Sequence, residues 1–335
     1  MRSLRSPPLS TPPTSPADAV RLPWWKPGLT LADVRAETLQ LWPWNHLSGR
    51  KRPSLEDLEA FRKHCATELV FLSCKLEQSV PPSLTREDVA ADLEEAYDRC
   101  LEESEEFCFL PCSSPWPSDG SQDDLAANKN QMIQHMKALC FLCYMGCQTE
   151  PLTPVVLQRA HSILLNKATD AAGNALHSGI YRTHPAHSSG LVFMEPLEIS
   201  HAVEDALAKY VTSEQDTPGP DQQFFIERVA QLYFKLIMIH PFTDGNGRLC
   251  RLLIAAALMR EGVPFPVPMH NGHKKNRLHY MGVTGHADTH LNTHRLQCYL
   301  LDCVLLWLKC FLEKEQDDGD SVAGRCLLSY PSVVG

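Results

Sequence analysis

The sequence predicts an all-α protein: a helical bundle broken by one β-hairpin and preceded by a helical N-terminal region. Three observations carry this expectation. Apolar residues recur at helical spacing through most of the chain from residue 54 to residue 313. Residues that start or stop helices flank those runs, with Ser54, Thr85 and Thr153-Pro154 at starts and Gly262 with Pro264 at an end. Between Gly179 and Ile199 the pattern changes to a Ser188-Ser189-Gly190 turn followed by Leu191-Val192-Phe193, a hairpin signal.

Taken in order, residues 1–27 read as a disordered proline-rich leader, because nine of the 25 prolines fall in the first 53 residues. Trp24, Trp25, Trp42 and Trp44 follow or border it, and packing against a core or between domains explains them better than ligand stacking. A helical N-terminal region, residues 28–110, contains the first long helix. Ser54 caps it, Leu55, Leu58, Phe61, Cys65, Leu69 and Leu72 fall at helical spacing, and Pro81-Pro82 ends it. A second helix is expected over about 85–105, capped by Thr85, with an acidic face turned to solvent. Residues 111–127 (PCSSPWPSDGSQDDLAA) have linker composition. The main domain is then expected over 128–313, with residues 314–335 a tail. Within it, Thr153 caps a helix with proline at its first position, and Leu152 and Leu157 are placed to form a staple. A helix from near Gly247 should stop at Gly262.

Composition narrows the function classes. Of 335 residues, 44% are apolar and 21% charged, which excludes a collagen, a coiled-coil rod and a disordered acidic tail protein. The net charge of −9 disfavours general binding to a nucleic-acid backbone. The 13 cysteines are odd in number and mostly lie in apolar runs, which fits a reducing compartment. The N-terminus lacks the apolar core of a secretory signal. The longest apolar stretch, Cys298 to Leu312, is too short to span a membrane and carries Asp302 and Lys309. The expectation is a soluble protein of the cytoplasm, or alternatively the nucleus, with no membrane or nucleic-acid partner.

The chemistry concentrates in residues 240–251, HPFTDGNGRLCR. An apolar helix (Phe225 to Ile239) delivers His240, a loop with two glycines follows, and a second apolar helix (Leu252 to Met259) leaves it. Glycines at a helix N-terminus bare the backbone amides, and the helix dipole adds positive potential, so the junction is an anion cradle. Arg248 and Arg251, three apart, are placed to grip several phosphates. Asp244 is a natural Mg²⁺ ligand beside phosphates, and His240 a base that titrates near neutrality. These residue types in this order describe a nucleotide phosphotransfer site.

The same stretch resembles the Fic family motif H-x-F-x-[D/E]-G-N-G-R-x-x-R at all eight specified positions. The resemblance extends over about residues 130–312. LTPVVLQRAHSIL (152–164) resembles the family's leading helix, Gly179-Ile180-Tyr181-Arg182 its G-x-[YF]-R stretch ahead of the flap, and Arg277-Leu278-His279-Tyr280 its R-x-x-Y element. It implies an all-α Fic domain with a β-hairpin flap, here Ala186, His187, Ser188 and Ser189. It also implies protein AMPylation, in which AMP passes from ATP to a hydroxyl of a target protein and pyrophosphate leaves. His240 would deprotonate the hydroxyl and Phe242 anchor the loop. Asp244 would hold Mg²⁺, with Mn²⁺ as the alternative. Gly245, Asn246, Gly247, Arg248, Leu249 and Cys250 would cradle the phosphates, Arg251 would bind the γ-phosphate, and Tyr280 would pack by the base. Gly247 stands where the phosphorylating toxin branch has a lysine, which favours AMP transfer. Asp288 replaces an asparagine that many members use at the adenosine. A homodimer is left open.

Regulated members carry an inhibitory helix with [S/T]-x-x-x-E-[G/N], and Ser73-Cys74-Lys75-Leu76-Glu77-Gln78 resembles it, with glutamine at the last position. Ser73 and Glu77 share a helix face. The resemblance implies that Glu77 competes with the γ-phosphate for Arg251; the alternative is an ordinary surface glutamate near a helix end. Two other activities use the same residues: a deAMPylase in which Glu77 positions water, and a nucleotide-binding module without transfer. His286, His290 and His294 recur every four residues but read as a solvated loop rather than a zinc site. Cys140, Cys143 and Cys147, and likewise Trp307 and Phe311, read as core.

Overall fold

Ser54 opens the first helix, α1 (Leu55–Leu76), by accepting the Asp57 amide at 2.9 Å. In the computed structural model the described residues are 54–77, 79–102, 123–145, 151–166, 168, 176–188, 191–215, 225–270, 276–285 and 293–314. The leader, the four N-terminal tryptophans, Gln78, Cys147, Ser189, His286, Asp288, His290 and the tail beyond residue 314 lie outside them.

The apolar stripe of α1 buries Phe61, Cys65 and Leu69, while Leu55 stays exposed, so the buried face begins one turn later than the spacing suggests. The helix α2 (Ala90–Glu102) begins at Ala90 rather than at Thr85, and residues 103–105 lie outside the described residues. Thr85 and Asp88 explain the shift: the Thr85 amide donates to Asp88 Oδ2 at 2.8 Å and the Asp88 amide to Thr85 Oγ1 at 3.4 Å, closing a reciprocal cap around a turn before the helix begins. The acidic face of α2 is not simply solvated. Asp98 accepts from Lys63 of α1 at 2.7 Å, and Asp92 from Lys129 of the next helix at 2.9 Å. That helix, α3 (Asp123–Cys140), starts within the stretch whose composition suggested a linker and runs on into a π-helical turn, Phe141–Met145.

Thr153 caps α4 (Pro154–Leu164) by accepting the Val156 amide at 3.3 Å. The hairpin follows as β1 (His187–Ser188) and β2 (Leu191–Val192), antiparallel with His187 opposite Val192 and Ser188 opposite Leu191. A 3₁₀ turn (Pro196–Glu198) leads into α5 (Ile199–Gln215), then α6 (Phe225–Ile239), α7 (Asn246–Arg260), α8 (Asn276–Gly285) and α9 (His294–Lys314). Gly262, at φ 99°, terminates the chain's turn out of α7.

Twelve of the fifteen residues of α7 are buried, and α1, α3, α4 and α6 pack around it. A helix apolar on all sides belongs at the centre, and its N-terminus is thereby set inside the bundle. Phe61 of α1 meets Phe265 and Phe311, each at a ring separation of 4.9 Å, and Arg62 Nε donates to the Pro264 carbonyl at 2.7 Å. These contacts fix the N-terminal helix to the main domain. Cys140, Cys143 and seven other described cysteines are buried. Among the described residues there is no helix long and apolar enough to cross a membrane and no cluster of three metal-ligating side chains.

Candidate active site

Pro241 ends α6, because its ring disfavours the helical conformation for the residue before it. His240 takes a left-handed backbone instead, at φ 51°. The loop beyond is closed by Asn246, whose Oδ1 accepts the Phe242 amide at 3.0 Å and whose Nδ2 donates to the Phe242 carbonyl at 2.7 Å. Phe242 is fully buried and stacks on His161 of α4 at 3.7 Å, with the rings 7° from parallel. His161 Nδ1 accepts the Gly179 amide at 2.8 Å, so its Nε2 carries the proton and donates to the Asp244 carbonyl at 2.9 Å. Burial pulls the His161 pKa down to about 4, which keeps this tautomer neutral. Gly245 caps α7 at φ 75°, and a Cβ there would press on His161 Nε2 and Leu165 at 3.3 Å.

His240 lies beside the flap. Its ring stacks on Phe193 at 3.8 Å, 9° from parallel, and Nδ1 sits 3.3 Å from the Ile237 carbonyl. A carbonyl only accepts, so Nδ1 bears the hydrogen and Nε2 presents its lone pair. Burial pulls the pKa of His240 below its ordinary value, against the opposing effect of the Ile237 carbonyl. The imidazole is therefore a base, not an acid, at neutral pH. The Phe193 amide donates to the Ala186 carbonyl at 3.0 Å, extending the hairpin by a rung, and His187, Leu191 and Val192 are exposed on it.

The cradle is the first turn of α7. The Leu249 amide makes the first intrahelical bond, to the Gly245 carbonyl at 2.9 Å, so the amides of Asn246, Gly247 and Arg248 precede it. The side chains of Leu249 and Cys250 are turned into the core, which leaves only their backbone to the site. Arg248 is buried, with Nη2 3.0 Å from Asp244 Oδ2 and Nη1 without a partner among the described residues. A buried, unpartnered guanidinium nitrogen fits an incoming phosphate oxygen. Asp244 is half exposed beside it, and its Oδ1 accepts the Gly245 amide at 2.6 Å. One accessible carboxylate next to a phosphate cradle is a donor set that suits Mg²⁺.

Arg251 is fully buried, and every arm of it is engaged. Nη2 lies 2.7 Å from Glu77 Oε1 and 3.2 Å from the Ser73 carbonyl, Nε donates to Ser73 Oγ at 2.8 Å, and Nη1 donates to the Tyr280 hydroxyl at 3.1 Å. Tyr280 is itself buried and its hydroxyl bonds that of Tyr233. The resemblance puts Tyr280 by a nucleobase; here its hydroxyl holds Arg251. Glu77 follows the last residue of α1, and Arg277 Nε donates to the Leu76 carbonyl at 2.9 Å, capping that helix end from α8. The Glu77 carboxylate lies against Gly247, where an added Cβ would collide with it. Ser73, Glu77, Gly247 and Arg251, far apart in sequence, thus form one cluster. Sequence reading missed Tyr233 and the role of His161, since a tyrosine or a histidine on an apolar helix face carries no signal beyond that of core.

Residues 151–258 match the model of the Fic/DOC family. Over 139 residues the chain is 32% identical to a Nematostella vectensis protein named protein adenylyltransferase Fic, covering 40% of this chain and 31% of that one. Over 70 residues it is 41% identical to a uridine 5'-monophosphate transferase of Xanthomonas campestris, covering 20% of this chain and 13% of that one. The chain thus spans less than a third of the length of either curated relative. Its fold is similar to that of a Fic domain-containing signaling protein from Bacteroides thetaiotaomicron, with a TM-score of 0.60 at 20% identity, covering 87% of this chain and 99% of that one.

Proposed function

The chain carries a Fic domain, and on that premise we propose that it transfers AMP from ATP to a hydroxyl side chain of a target protein and that Glu77 restrains the reaction. The observation behind this reading is the placement of His240, whose Nδ1 faces the Ile237 carbonyl at 3.3 Å and so leaves Nε2 as the acceptor, at the edge of a cradle in which Arg248 Nη1 is buried and unpartnered. Nε2 takes the proton of the target hydroxyl as its oxygen attacks the α-phosphorus. The bond from that phosphorus to the bridging oxygen breaks, and pyrophosphate leaves in line. Arg248 and the amides of Asn246 and Gly247 hold the phosphate oxygens. Asp244 would hold Mg²⁺, which when bound neutralises phosphate charge. The target docks along the flap, whose strand β2 exposes Leu191 and Val192.

Parallel labelling with α-³²P-ATP and γ-³²P-ATP tests the reaction. Label should reach protein only from the α position. Label only from the γ position would make this a phosphoryl transferase, and label from α-³²P-UTP but not α-³²P-ATP would reassign the nucleotide.

Arg251→Ala tests the anchor of the γ-phosphate. In a Glu77→Gly chain, where the guanidinium is available, the loss of a charge-assisted contact should cost ATP binding about 1.5–3 kcal/mol. ADP binding should change little. Equal losses for both nucleotides in calorimetry would place Arg251 away from the γ-phosphate.

The reverse chemistry is a second reading favoured by one observation. Glu77 is close enough to influence the His240 imidazole electrostatically, so a water held by Glu77 would face the same phosphorus that His240 serves. Release of AMP from a labelled protein by the unsubstituted chain, and its loss in Glu77→Gly, would support that reading.

A further inference from the structure

The guanidinium of Arg182 donates only to backbone carbonyls, and those carbonyls belong to two different parts of the site. Nε reaches the His240 carbonyl at 2.7 Å and Nη2 the Ile239 carbonyl at 3.2 Å, at the end of α6. Nη1 reaches the His184 carbonyl at 2.8 Å and Nη2 the Met194 carbonyl at 2.5 Å, on the two stems of the flap. The Arg182 amide adds a bond to the Pro241 carbonyl at 2.9 Å. The residue is buried, at 5% relative exposure.

Two features of His240 need such a clamp. A non-glycine residue at φ 51° is held against its preference and persists only where the surroundings fix it. The carbonyls of Ile239 and His240 are also the last of α6, which have no partner within the helix. A planar fork with five donors satisfies both at once and still reaches the flap. From the other side, the flap returns a contact through Phe193, which stacks on the His240 ring and directly precedes Met194.

We propose that Arg182 is a positioning residue: it fixes the left-handed backbone of His240 and ties it to both stems of the flap, so that the imidazole and a hydroxyl docked against the flap keep one register. This rests on His240 acting as the base of the transfer reaction. The bonds of Arg182 go to the carbonyls of Ile239, His240, Pro241, His184 and Met194, and none goes to the first turn of α7. Its loss should therefore act on the chemical step and spare nucleotide binding. A positive charge without a carboxylate bonded to it also helps keep the neighbouring imidazole neutral, although Glu77 and Asp244 act on His240 in the opposite sense.

The test uses the full chain carrying Glu77→Gly, with self-labelling from α-³²P-ATP as the readout, and adds Arg182→Lys or Arg182→Ala. Lysine keeps the charge but cannot span four carbonyls. Both variants should lower kcat about a hundredfold, the size of effect expected when a reacting group is misplaced by about 1 Å. KM for ATP, and ATP affinity in calorimetry, should stay within about twofold. Guanidinium added to Arg182→Ala should restore part of kcat. Full-rate transfer in either variant would overturn the proposal, and so would a loss of ATP binding in step with kcat, which would make Arg182 a support of the whole domain. No label from the Glu77→Gly chain with Arg182 intact would instead mean that the transfer reading itself has failed.

Discussion

Glu77→Gly is expected to raise AMP transfer or self-labelling at least about tenfold, because it frees the only guanidinium group that the nucleotide's terminal phosphate would seek among the buried residues of α7's second turn. In the resting arrangement all three guanidinium nitrogens of Arg251 are engaged, by Glu77, Ser73 and Tyr280. The ion pair is asymmetric, with the arginine side chain 1% and the glutamate side chain 39% exposed, so solvent screens it in part and a large Coulomb energy is not warranted. A modest shift suffices, since about 1.4 kcal/mol is a factor of ten. Removing the glutamate also clears the space against Gly247, through which the phosphates would lie. Glu77→Gln, which keeps the shape and gives up the charge, should fall between the two. Equal transfer rates in the unsubstituted and Glu77→Gly chains would show that the cluster is structural packing and that control lies elsewhere or is absent.

His240→Ala is expected to lower transfer by about 10²–10⁴-fold, the usual contribution of a positioned acid–base group, while ATP affinity is nearly unchanged. The separation follows from the geometry. His240 bonds to Ile237 and stacks on Phe193, whereas the cradle is built by α7 and closed by Asn246 and His161. Calorimetry and labelling on the same preparation decide it: substantial residual transfer would remove His240 from the role of base, and a parallel fall in ATP affinity would place it among the nucleotide contacts.

Much of this arrangement is legible in the sequence, for a physical reason. Gly245 and Gly247, two arginines and a histidine–proline pair between two apolar runs can hardly be read except as a helix end, a bare amide cradle and a helix start, and the structure has α6, the loop and α7 there. Helix caps that act locally, Ser54 and Thr153, are equally readable, since each bonds an amide three residues on. Thr85 shows the limit of that rule: its reciprocal bonds with Asp88 look like a helix start but enclose a separate turn. Long-range partnerships leave no periodic trace. Nothing near Tyr233 announces Tyr280, nothing near His161 announces Asp244, and Arg182 addresses carbonyls, which every residue has. Asp92 and Asp98 read as solvated because their lysine partners lie 35 or more residues away, on other helices.

The short helix α8 carries a consequence of its own. Arg277 holds the Leu76 carbonyl at the end of α1, and Tyr280, one turn on, holds Arg251. Both ends of the Glu77 contact therefore rest on one rigid element, and that element bears the R-x-x-Y residues expected to meet the nucleotide. If Glu77 restrains transfer as proposed, such a layout makes the brake and the substrate thermodynamic partners. Whatever free energy the docked end of α1 subtracts from ATP binding, bound ATP must subtract from the docking of α1, because linkage between two ligands of one site is reciprocal. On the proposed reading, a rising nucleotide concentration would then loosen the brake without any separate signal, and a factor that undocks α1 would strengthen nucleotide binding.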